Sequence, residues 1–332
     1  GKLVVGADGI KSKVRECLKE GKKESLFGAW DYDASKFKVK KWISPATGLK
    51  LKALQIPTDK YSVADGDGTK VTCNGNDIVA VRSKTTGPLD FLSLGSLPVK
   101  NSQKIRPANC ITRPNHILWT MKSAAEVKQW FKQNFPRLDF DELITDEEWE
   151  RFAKAEGLAF PPCQYCPGLQ ASSENGECGV VLLGDAAHSF SPDIGQGINA
   201  GLMDVVQFDE ILTKFGNGKS TKLEGGLGNA LKEYERIRAP ETRALIRIAR
   251  FGAPYQYNQP LRKDKIGKTL WTANVALRLL LNKITFGVFP KQMMFTLSDS
   301  SLTYRQVARR ADLGTAALVL AFAIAALKLL IA

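Results

Sequence analysis

The sequence predicts an α/β fold with parallel-strand segments, an inserted antiparallel sheet and C-terminal helices. Strand–turn–helix patterns lie at residues 3–15 and 180–212, where a short apolar run leads through glycines into an amphipathic helix. Between them, residues 37–43 and 49–54 mix polar and apolar side chains in the alternation of a half-exposed antiparallel sheet. Residues 313–332 form an apolar run long enough for a further helix.

The first strand–turn–helix segment starts at Leu3 and reads LVVGADGIKSKVR. Gly6 and Gly9 allow a positive φ angle or the close approach of a ligand. Ser12 is a candidate N-cap for a helix that begins near Lys13. Taken alone, this segment is compatible with any α/β turn.

The second segment starts with the run VVLL at residues 180–183, which predicts a buried strand. The strand delivers Asp185 to its carboxyl end, the edge at which open α/β sheets bind ligands. The turn Gly195, Gln196, Gly197 then exposes backbone N–H groups at a helix start, which favours anionic groups. An ordinary helix start is the alternative interpretation. The helix carries apolar residues at Ile198, Leu202, Val205, Phe208 and Leu212.

Together the two segments resemble two motifs of the single-component FAD-dependent aromatic hydroxylases. Residues 184–204 follow the pattern GDAAHxxxPxxGQGxNxGxxD, which is similar to the segment that holds the flavin ribityl chain. Residues 6–15 follow GADGxxSxVR, the second fingerprint of the same family. The resemblance implies a Rossmann-like FAD-binding domain interleaved with an antiparallel-sheet substrate domain.

Within this family, the chain is most similar to the kynurenine 3-monooxygenases. The similarity continues through the segments NAG (199–201), FDE (208–210), YERIRAP (234–240) and YR (304–305). The chain differs at Asp193 and Ile194, where that group commonly carries aromatic residues. It also differs at Gly252, in the place of an asparagine that helps to hold the substrate carboxylate.

The resemblance implies roles for individual residues. Asp185 accepts a hydrogen bond from a ribityl hydroxyl, Pro192 lines the flavin ring, and N–H groups from Gly197 to Asn199 stabilise negative charge at flavin N1–C2=O. Arg15 lies near the dinucleotide or, as an equal alternative, on a solvated helix face. No general base is identifiable, so the catalytic residues are unknown. The implied cofactor-binding residues are Asp8, Arg15, Gly184, Asp185, Pro192, Gly195, Gln196, Gly197, Ile198 and Asn199.

The resemblance also implies the reaction. FAD is the cofactor, NADPH or NADH reduces it, and O2 is used to hydroxylate a small, electron-rich aromatic substrate. Two alternatives use the same flavin residues. One is an epoxidase or reductase that acts on a lipid or isoprenoid, and the other is a non-catalytic membrane protein with a flavin-binding fold.

The strand–GxGxxG–helix segment that binds the FAD pyrophosphate is not found in the sequence. We therefore expect the FAD-binding domain to be incomplete and the chain to be truncated at its N-terminus, so that it holds FAD poorly.

The motifs predict a division of the chain into five segments. Residues 1–24 and 166–250 belong to the FAD-binding domain, and residues 25–165 form the substrate domain. Residues 251–312 form a helical region, and residues 313–332 a membrane-anchoring helix.

Within the substrate domain, residues 124–136 predict an amphipathic helix that Pro136 ends. We assign Trp130, Phe131 and Phe135 to the core of the domain rather than to a substrate pocket.

The chain has 332 residues and a net charge of +13. Its basic residues are dispersed and no recognition motif is present, so we expect no nucleic-acid partner. An anionic membrane surface accounts for the charge better, because Arg305, Arg309 and Arg310 directly precede the apolar run 313–332. A buried C-terminal helix is the alternative. We expect membrane anchorage with the catalytic body in the cytosol, the mitochondrial outer membrane being one candidate location.

Cys163 and Cys166 have the spacing of half a structural zinc site, which needs a second pair of ligands. We expect reduced, packed thiols and no metal. The oligomeric state is not predicted.

Overall fold

The computed structural model describes residues 2–21, 30–57, 61–64, 69–84, 92–99, 105–215, 226–257 and 261–331. The chain divides into two compact units. Unit 1 comprises Gly1–Ala46, Pro161–Gln256 and Lys263–Ala332, and unit 2 comprises Thr47–Phe160 and Tyr257–Arg262.

The described strands are β1 (Leu3–Gly6), β2 (Trp30–Asp31), β3 (Lys40–Trp42), β4 (Lys50–Pro57), β5 (Tyr61–Ala64), β6 (Lys70–Cys73), β7 (Val79–Arg82), β8 (Ser93–Ser96), β9 (Ile105–Thr112), β10 (Leu158–Ala159), β11 (Cys163–Tyr165), β12 (Gln170–Ser173), β13 (Gly179–Leu182) and β14 (His188–Ser189). The described α-helices are α1 (Lys13–Glu20), α2 (Ala124–Asn134), α3 (Phe140–Leu143), α4 (Asp146–Lys154), α5 (Gly197–Phe215), α6 (Gly226–Phe251), α7 (Arg262–Ile284) and α8 (Tyr304–Ile331).

The main sheet of unit 1 has the strand order β1-β13-β12-β2. β1 and β13 are parallel, with Leu3 opposite Gly179, whereas β12 is antiparallel to both of its neighbours. All four residues of β13 are buried, as the apolar run predicts. After β1, the Ser12 hydroxyl accepts a hydrogen bond from the Arg15 N–H at 3.0 Å, which confirms the predicted cap and helix start.

A second sheet of unit 1 has the order β14-β11-β3. The prediction for residues 37–43 was wrong in part, because Phe37 ends a 3₁₀ turn (Ala34–Phe37) and only Lys40–Trp42 is a strand. This strand pairs with β11, and Phe37 is buried in the core of unit 1. Burial of this one aromatic side chain therefore outweighs the local alternation pattern.

Unit 2 is built on the antiparallel sheet β10-β4-β9-β8-β7. β4 alternates as predicted, with Leu54 and Ile56 buried, and it pairs with β9 along its whole length. Helix α2 ends one residue before Phe135, and both Phe131 and Phe135 are fully buried. The ring centroid of Phe131 lies 5.3–5.7 Å from those of five aromatic rings, one of them that of the partly buried Trp130, so the predicted assignment of these residues to the core is confirmed.

Helices α5 and α8 of unit 1 expose much of their apolar surface. In α5, Phe208 is buried, but Ile198 is 80% exposed and Leu202 is 61% exposed. In α8, the apolar residues from Leu313 onward are largely exposed. Within the described residues, α8 contains the one stretch, Tyr304–Lys328, that is long and apolar enough to cross a membrane, with a mean hydropathy of 1.7.

Candidate functional site

The site begins at the carboxyl end of β13, where a 3₁₀ turn (Gly184–Ala186) follows the strand. Gly184 has a φ of +56°, which a residue with a side chain rarely adopts, and this conformation lets the chain leave the sheet edge at once. Asp185 is exposed and makes no hydrogen bond or ion pair within the described part of the chain. Its carboxylate is therefore free to accept hydrogen bonds from a ligand.

The start of α5 lies against this turn. A Cβ atom added to Gly201 would lie 3.7 Å from the Cα atom of Gly184, so the helix and the turn are in contact. Gly195 has a φ of +63° and closes the turn Pro192–Ile194 directly before the helix. A side chain added at Gly195 or Gly197 would meet no atom within 4 Å, so this face of the turn is open.

The backbone N–H groups of the first turn of α5 have no intrahelical acceptor, which is the general condition of a helix N-terminus. The residues that carry them, Gly197, Ile198 and Asn199, are all exposed, and so is Pro192. The helix dipole adds partial positive charge at the same place. The start of α5 is therefore suited to an electronegative edge of a ligand.

A buried ionic network holds the two parts of the site together. Asp204 of α5 is 1% exposed, and its Oδ2 accepts hydrogen bonds from the Gly184 N–H at 2.8 Å and from His188 Nε2 at 2.7 Å. Its Oδ1 accepts two hydrogen bonds from the Arg238 guanidinium, at 2.9 and 2.5 Å. Burial raises the pKa of the Asp204 carboxyl, but the hydrogen bond from His188 and the charge of Arg238 bring it below its ordinary value.

Arg15 links the first fingerprint to the Asp185 turn. The side chain is buried and donates from Nη1 to the Ala186 carbonyl oxygen at 2.5 Å and from Nη2 to that of Ile10 at 2.8 Å. The alternative of a solvated helix position for Arg15 is therefore wrong. Because both terminal nitrogens of its guanidinium donate to backbone carbonyls, Arg15 positions the residue next to Asp185.

Asp8 caps the first turn of α1. Its Oδ2 accepts the N–H groups of Lys13 at 2.6 Å and Val14 at 3.3 Å. Slight burial raises the pKa of this carboxyl, but hydrogen bonds from Ser12 and from these N–H groups lower it overall. One carboxylate oxygen of Asp8 is thus committed to the helix.

Asp193 lies beneath the open turn before α5. The residue is 4% exposed, and its Oδ1 has no hydrogen-bond partner among the described residues. Burial raises the pKa of the Asp193 carboxyl to about 7. The turn is held from below by Gln256, whose Nε2 donates to the Asp193 carbonyl oxygen at 2.5 Å.

Gln196 is held by the C-terminal helix. The Tyr304 hydroxyl, in the first turn of α8, donates to Gln196 Oε1 at 3.1 Å. The same helix that carries the exposed apolar run therefore contacts the turn at the start of α5.

Sequence reasoning did not identify Arg238 or Tyr304 as supports of the site. A signal for Arg238 is present, since it lies on the face of α6 that also carries the buried residues Leu231, Tyr234 and Leu245. A charged residue on a buried helix face indicates an internal ion pair. No comparable pattern points to the Tyr304–Gln196 contact, which joins positions 108 residues apart.

The residues present fit a flavin. An exposed carboxylate without a partner suits a polyol hydroxyl, and the open helix N-terminus suits the electronegative edge of the ring system. No group of three or more metal-ligating side chains occurs among the residues that the structure describes.

Comparisons with known proteins agree with this chemistry. The FAD binding domain family matches residues 1–249. The chain is 32% identical over 129 residues to kynurenine 3-monooxygenase of Sus scrofa, which covers 39% of this chain and 24% of that protein. It is 25% identical over 287 residues to kynurenine 3-monooxygenase of Salinispora arenicola, which covers 85% of this chain and 50% of that protein.

Among solved structures, the chain is similar to Klebsiella pneumoniae HpxO complexed with FAD and uric acid, with a TM-score of 0.45 and 16% identity. That similarity covers 82% of this chain and 55% of the other. The chain spans about half the length, or less, of the curated relatives that it matches.

Proposed function

The chain belongs to the FAD binding domain family, and on that premise we propose that it forms part of an FAD-dependent monooxygenase. In this proposal the enzyme uses NADPH or NADH and O2 to hydroxylate a small aromatic substrate. One observation carries the proposal. The exposed Asp185 and the exposed N-terminus of α5 lie on a turn and a helix that are in contact, and the buried hydrogen bonds of Asp204 hold these two elements together.

We assign the residues of the open site to the flavin. Asp185 would accept a hydrogen bond from a ribityl hydroxyl, while the N–H groups of Gly197 to Asn199 would stabilise negative charge at the N1–C2=O edge of the ring. Pro192 lines the ring, and Gly184, Gly195 and Gln196 shape the two turns. When bound and reduced, FAD supplies the activation of O2, and the protein supplies orientation and exclusion of water.

Three groups position this site without contacting the flavin, two of them buried and one, Tyr304, partly buried. Arg15 fixes the Ala186 carbonyl, Asp204 fixes the Gly184 N–H, and Tyr304 fixes the Gln196 side chain. Asp8 lies at the same end of β1 and is proposed to face the dinucleotide with the carboxylate oxygen that α1 leaves free. Residues 25–165, which include the antiparallel sheet of unit 2, are proposed to carry the substrate domain.

The proposed substrate is a small aromatic compound, and kynurenine itself is not part of the proposal. A Cβ atom at Gly252 would lie 2.7 Å from the Ile248 carbonyl oxygen, so a side chain there requires a shift of the backbone. An asparagine at this position, as in the resembling group, therefore does not fit the present packing. Asp193, in the place of an aromatic residue, is buried, so it presents no aromatic ring at this turn to a substrate.

A direct test measures the reaction. The whole enzyme of which this chain is proposed to form part is expected to show flavin absorbance, to oxidise NADPH or NADH faster when an aromatic substrate is present, and to yield a product with one added oxygen atom. Product analysis separates hydroxylation of an aromatic ring from epoxidation or reduction of an isoprenoid. A whole enzyme that binds no FAD, or that carries FAD and never oxidises a nicotinamide, would contradict the proposal.

We also propose that α8 anchors the protein in a membrane, with the catalytic body in the cytosol and the mitochondrial outer membrane as the first compartment to examine. The support is the exposed apolar surface of α8 from Leu313 onward. The only charge in residues 313–332 is Lys328, close enough to the end for its ammonium to reach the headgroups.

Removing the residues after Arg310 is expected to turn a carbonate-resistant membrane protein into one that carbonate releases. A retained cooperative thermal unfolding transition is the control that the rest of the chain has folded. If the intact protein is already released by carbonate, the anchor proposal fails.

A further inference from the structure

A basic cleft runs along unit 1 between α6 and the first turns of α8. It has a volume of about 1110 Å³, and residues of β3 and β11 close its inner side. Its cationic lining residues are Lys40, Arg243, Arg247, Arg305 and Arg309. Five cationic side chains face two acidic ones, Glu241 and Asp312, which leaves an excess of three positive charges.

Both acidic residues of the cleft already have partners. Asp312 forms an ion pair through both oxygens with Arg247, and Glu241 accepts the backbone N–H of Arg305 at 3.1 Å. Arg243 and Arg309 are exposed and have no carboxylate within 4.0 Å in the described part of the chain. The cleft therefore holds cationic groups whose counter-charge is not supplied by the described residues.

The position of the cleft along α8 indicates the source of an anionic ligand. Arg309 precedes the apolar run that starts at Leu313 by four residues, a rise of about 6 Å along the helix axis. The headgroup layer on each side of a bilayer is roughly 5–7 Å thick. If α8 enters the membrane at Leu313, the outer end of the cleft lies at the depth of lipid phosphates.

We propose that this cleft binds the headgroup phosphate of an anionic glycerophospholipid. The inference rests on the membrane anchorage proposed above. Arginine is suited to this role because its planar guanidinium makes paired hydrogen bonds to phosphate oxygens. In this proposal two contacts hold the helix pair α6–α8 at the membrane surface. One is the headgroup bound in the cleft, and the other is the apolar run 313–332 inserted in the bilayer.

The test uses the full chain extracted in a neutral detergent. Its melting temperature is followed during titration with water-soluble short-chain phosphatidylglycerol, with the matching phosphatidylcholine and with inorganic phosphate. Binding to the folded state stabilises it by RT ln(1 + [L]/Kd), so the melting temperature rises with the logarithm of the ligand concentration once that concentration exceeds Kd. We expect a rise with phosphatidylglycerol and none with phosphatidylcholine.

Two double variants with equal loss of charge locate the site. Arg243→Gln/Arg309→Gln removes cations of the cleft, and Lys263→Gln/Lys268→Gln removes exposed cations outside it. Two surface cations near lipid headgroups correspond to on the order of a 20-fold change in affinity. The cleft variant is expected to lose this factor, while the control variant keeps the affinity of the unaltered chain.

Three results would overturn the inference. Equal stabilisation by inorganic phosphate means that the cleft takes a free anion. Equal stabilisation by the two phospholipids means that only the acyl chains bind. Equal weakening of both double variants means that the charge acts diffusely. Carbonate resistance of the membranes, measured before the detergent is added, reports separately on the proposed anchorage, and nicotinamide oxidation by the whole enzyme reports separately on the proposed activity, so failure of either is not mistaken for failure here.

Discussion

Asp185 and Asp204 stand at opposite extremes of exposure, although both belong to one 21-residue motif. Asp185 is exposed and has no partner within the described residues, whereas Asp204 is 1% exposed and accepts four hydrogen bonds. The first is available to a ligand, and the second fixes the turn on which the first stands. A motif of this kind therefore contains a ligand-facing part and a supporting part, which respond differently to substitution.

The supporting part should show the largest loss of stability. Asp204→Ala leaves the Arg238 guanidinium buried without its carboxylate and removes the acceptor of the Gly184 N–H. Breaking a buried ion pair by removing one partner costs about 3–5 kcal/mol, and the additional lost hydrogen bonds favour the upper end. The free energy of unfolding, measured by denaturant titration, is expected to fall by about 5 kcal/mol.

Asp209→Ala is the matched control for this change. Asp209 lies on the same helix, is exposed and makes no hydrogen bond within the described residues, so its loss should alter stability by less than about 0.5 kcal/mol. Similar effects of the two substitutions would mean that the buried network does not stabilise the fold.

Asp193 makes the stability of this region depend on pH. It lies beneath the open turn, and its Oδ1 has no hydrogen-bond partner among the described residues. Its pKa of about 7 in the folded state exceeds the ordinary 3.8, so ionisation favours the unfolded chain. The native protein should therefore lose stability as the pH rises from about 4 to about 7.

Asp193→Asn removes this penalty. The variant should gain stability relative to the native chain as the pH rises, up to roughly 4 kcal/mol above pH 7, and the difference should shrink toward pH 4. Unfolding free energies of both proteins across this range provide the measurement. A difference that is independent of pH would show that the Asp193 carboxyl is ionised or paired throughout.

The ligand-facing part should behave in the opposite way. Asp185→Ala is expected to leave the unfolding free energy within about 0.5 kcal/mol, since the side chain is exposed. It should weaken FAD binding by about tenfold or more, because a hydrogen bond to a charged group contributes roughly 1.5–3 kcal/mol. Titration of the apoprotein with FAD tests this, and an unchanged Kd would remove Asp185 from the site.

The strand–turn–helix elements were predictable from sequence because their signals are local. The apolar run of β13, the Ser12 cap and the end of α2 before Pro136 each depend on residues within one or two turns. The FAD binding domain family and its α/β fold follow from the same local motifs.

Features that depend on distant contacts were not predictable in the same way. Arg15 reaches a carbonyl 171 residues away, so its position on α1 alone left a solvated face open. Phe37 packs in the core of unit 1 and ends a 3₁₀ turn, so it does not belong to the strand predicted for residues 37–43. The assignment of Asp8, Asp185 and the α5 start to FAD stays a prediction until a ligand is measured.

The smallest expected effect concerns the contact between α8 and the start of α5, two regions of unit 1 that expose apolar surface. Tyr304→Phe keeps the ring but removes the hydroxyl that donates to Gln196 Oε1 at 3.1 Å. A neutral hydrogen bond contributes about 0.5–1.5 kcal/mol, so FAD affinity should fall by only a few-fold. Tyr255→Phe is the matched control, since that hydroxyl makes no hydrogen bond within the described part of the chain. If both variants bind FAD equally well, the Tyr304 hydroxyl does not order the Gln196 turn for the cofactor. If only Tyr304→Phe is weakened, α8, the proposed membrane anchor, also positions the proposed flavin site.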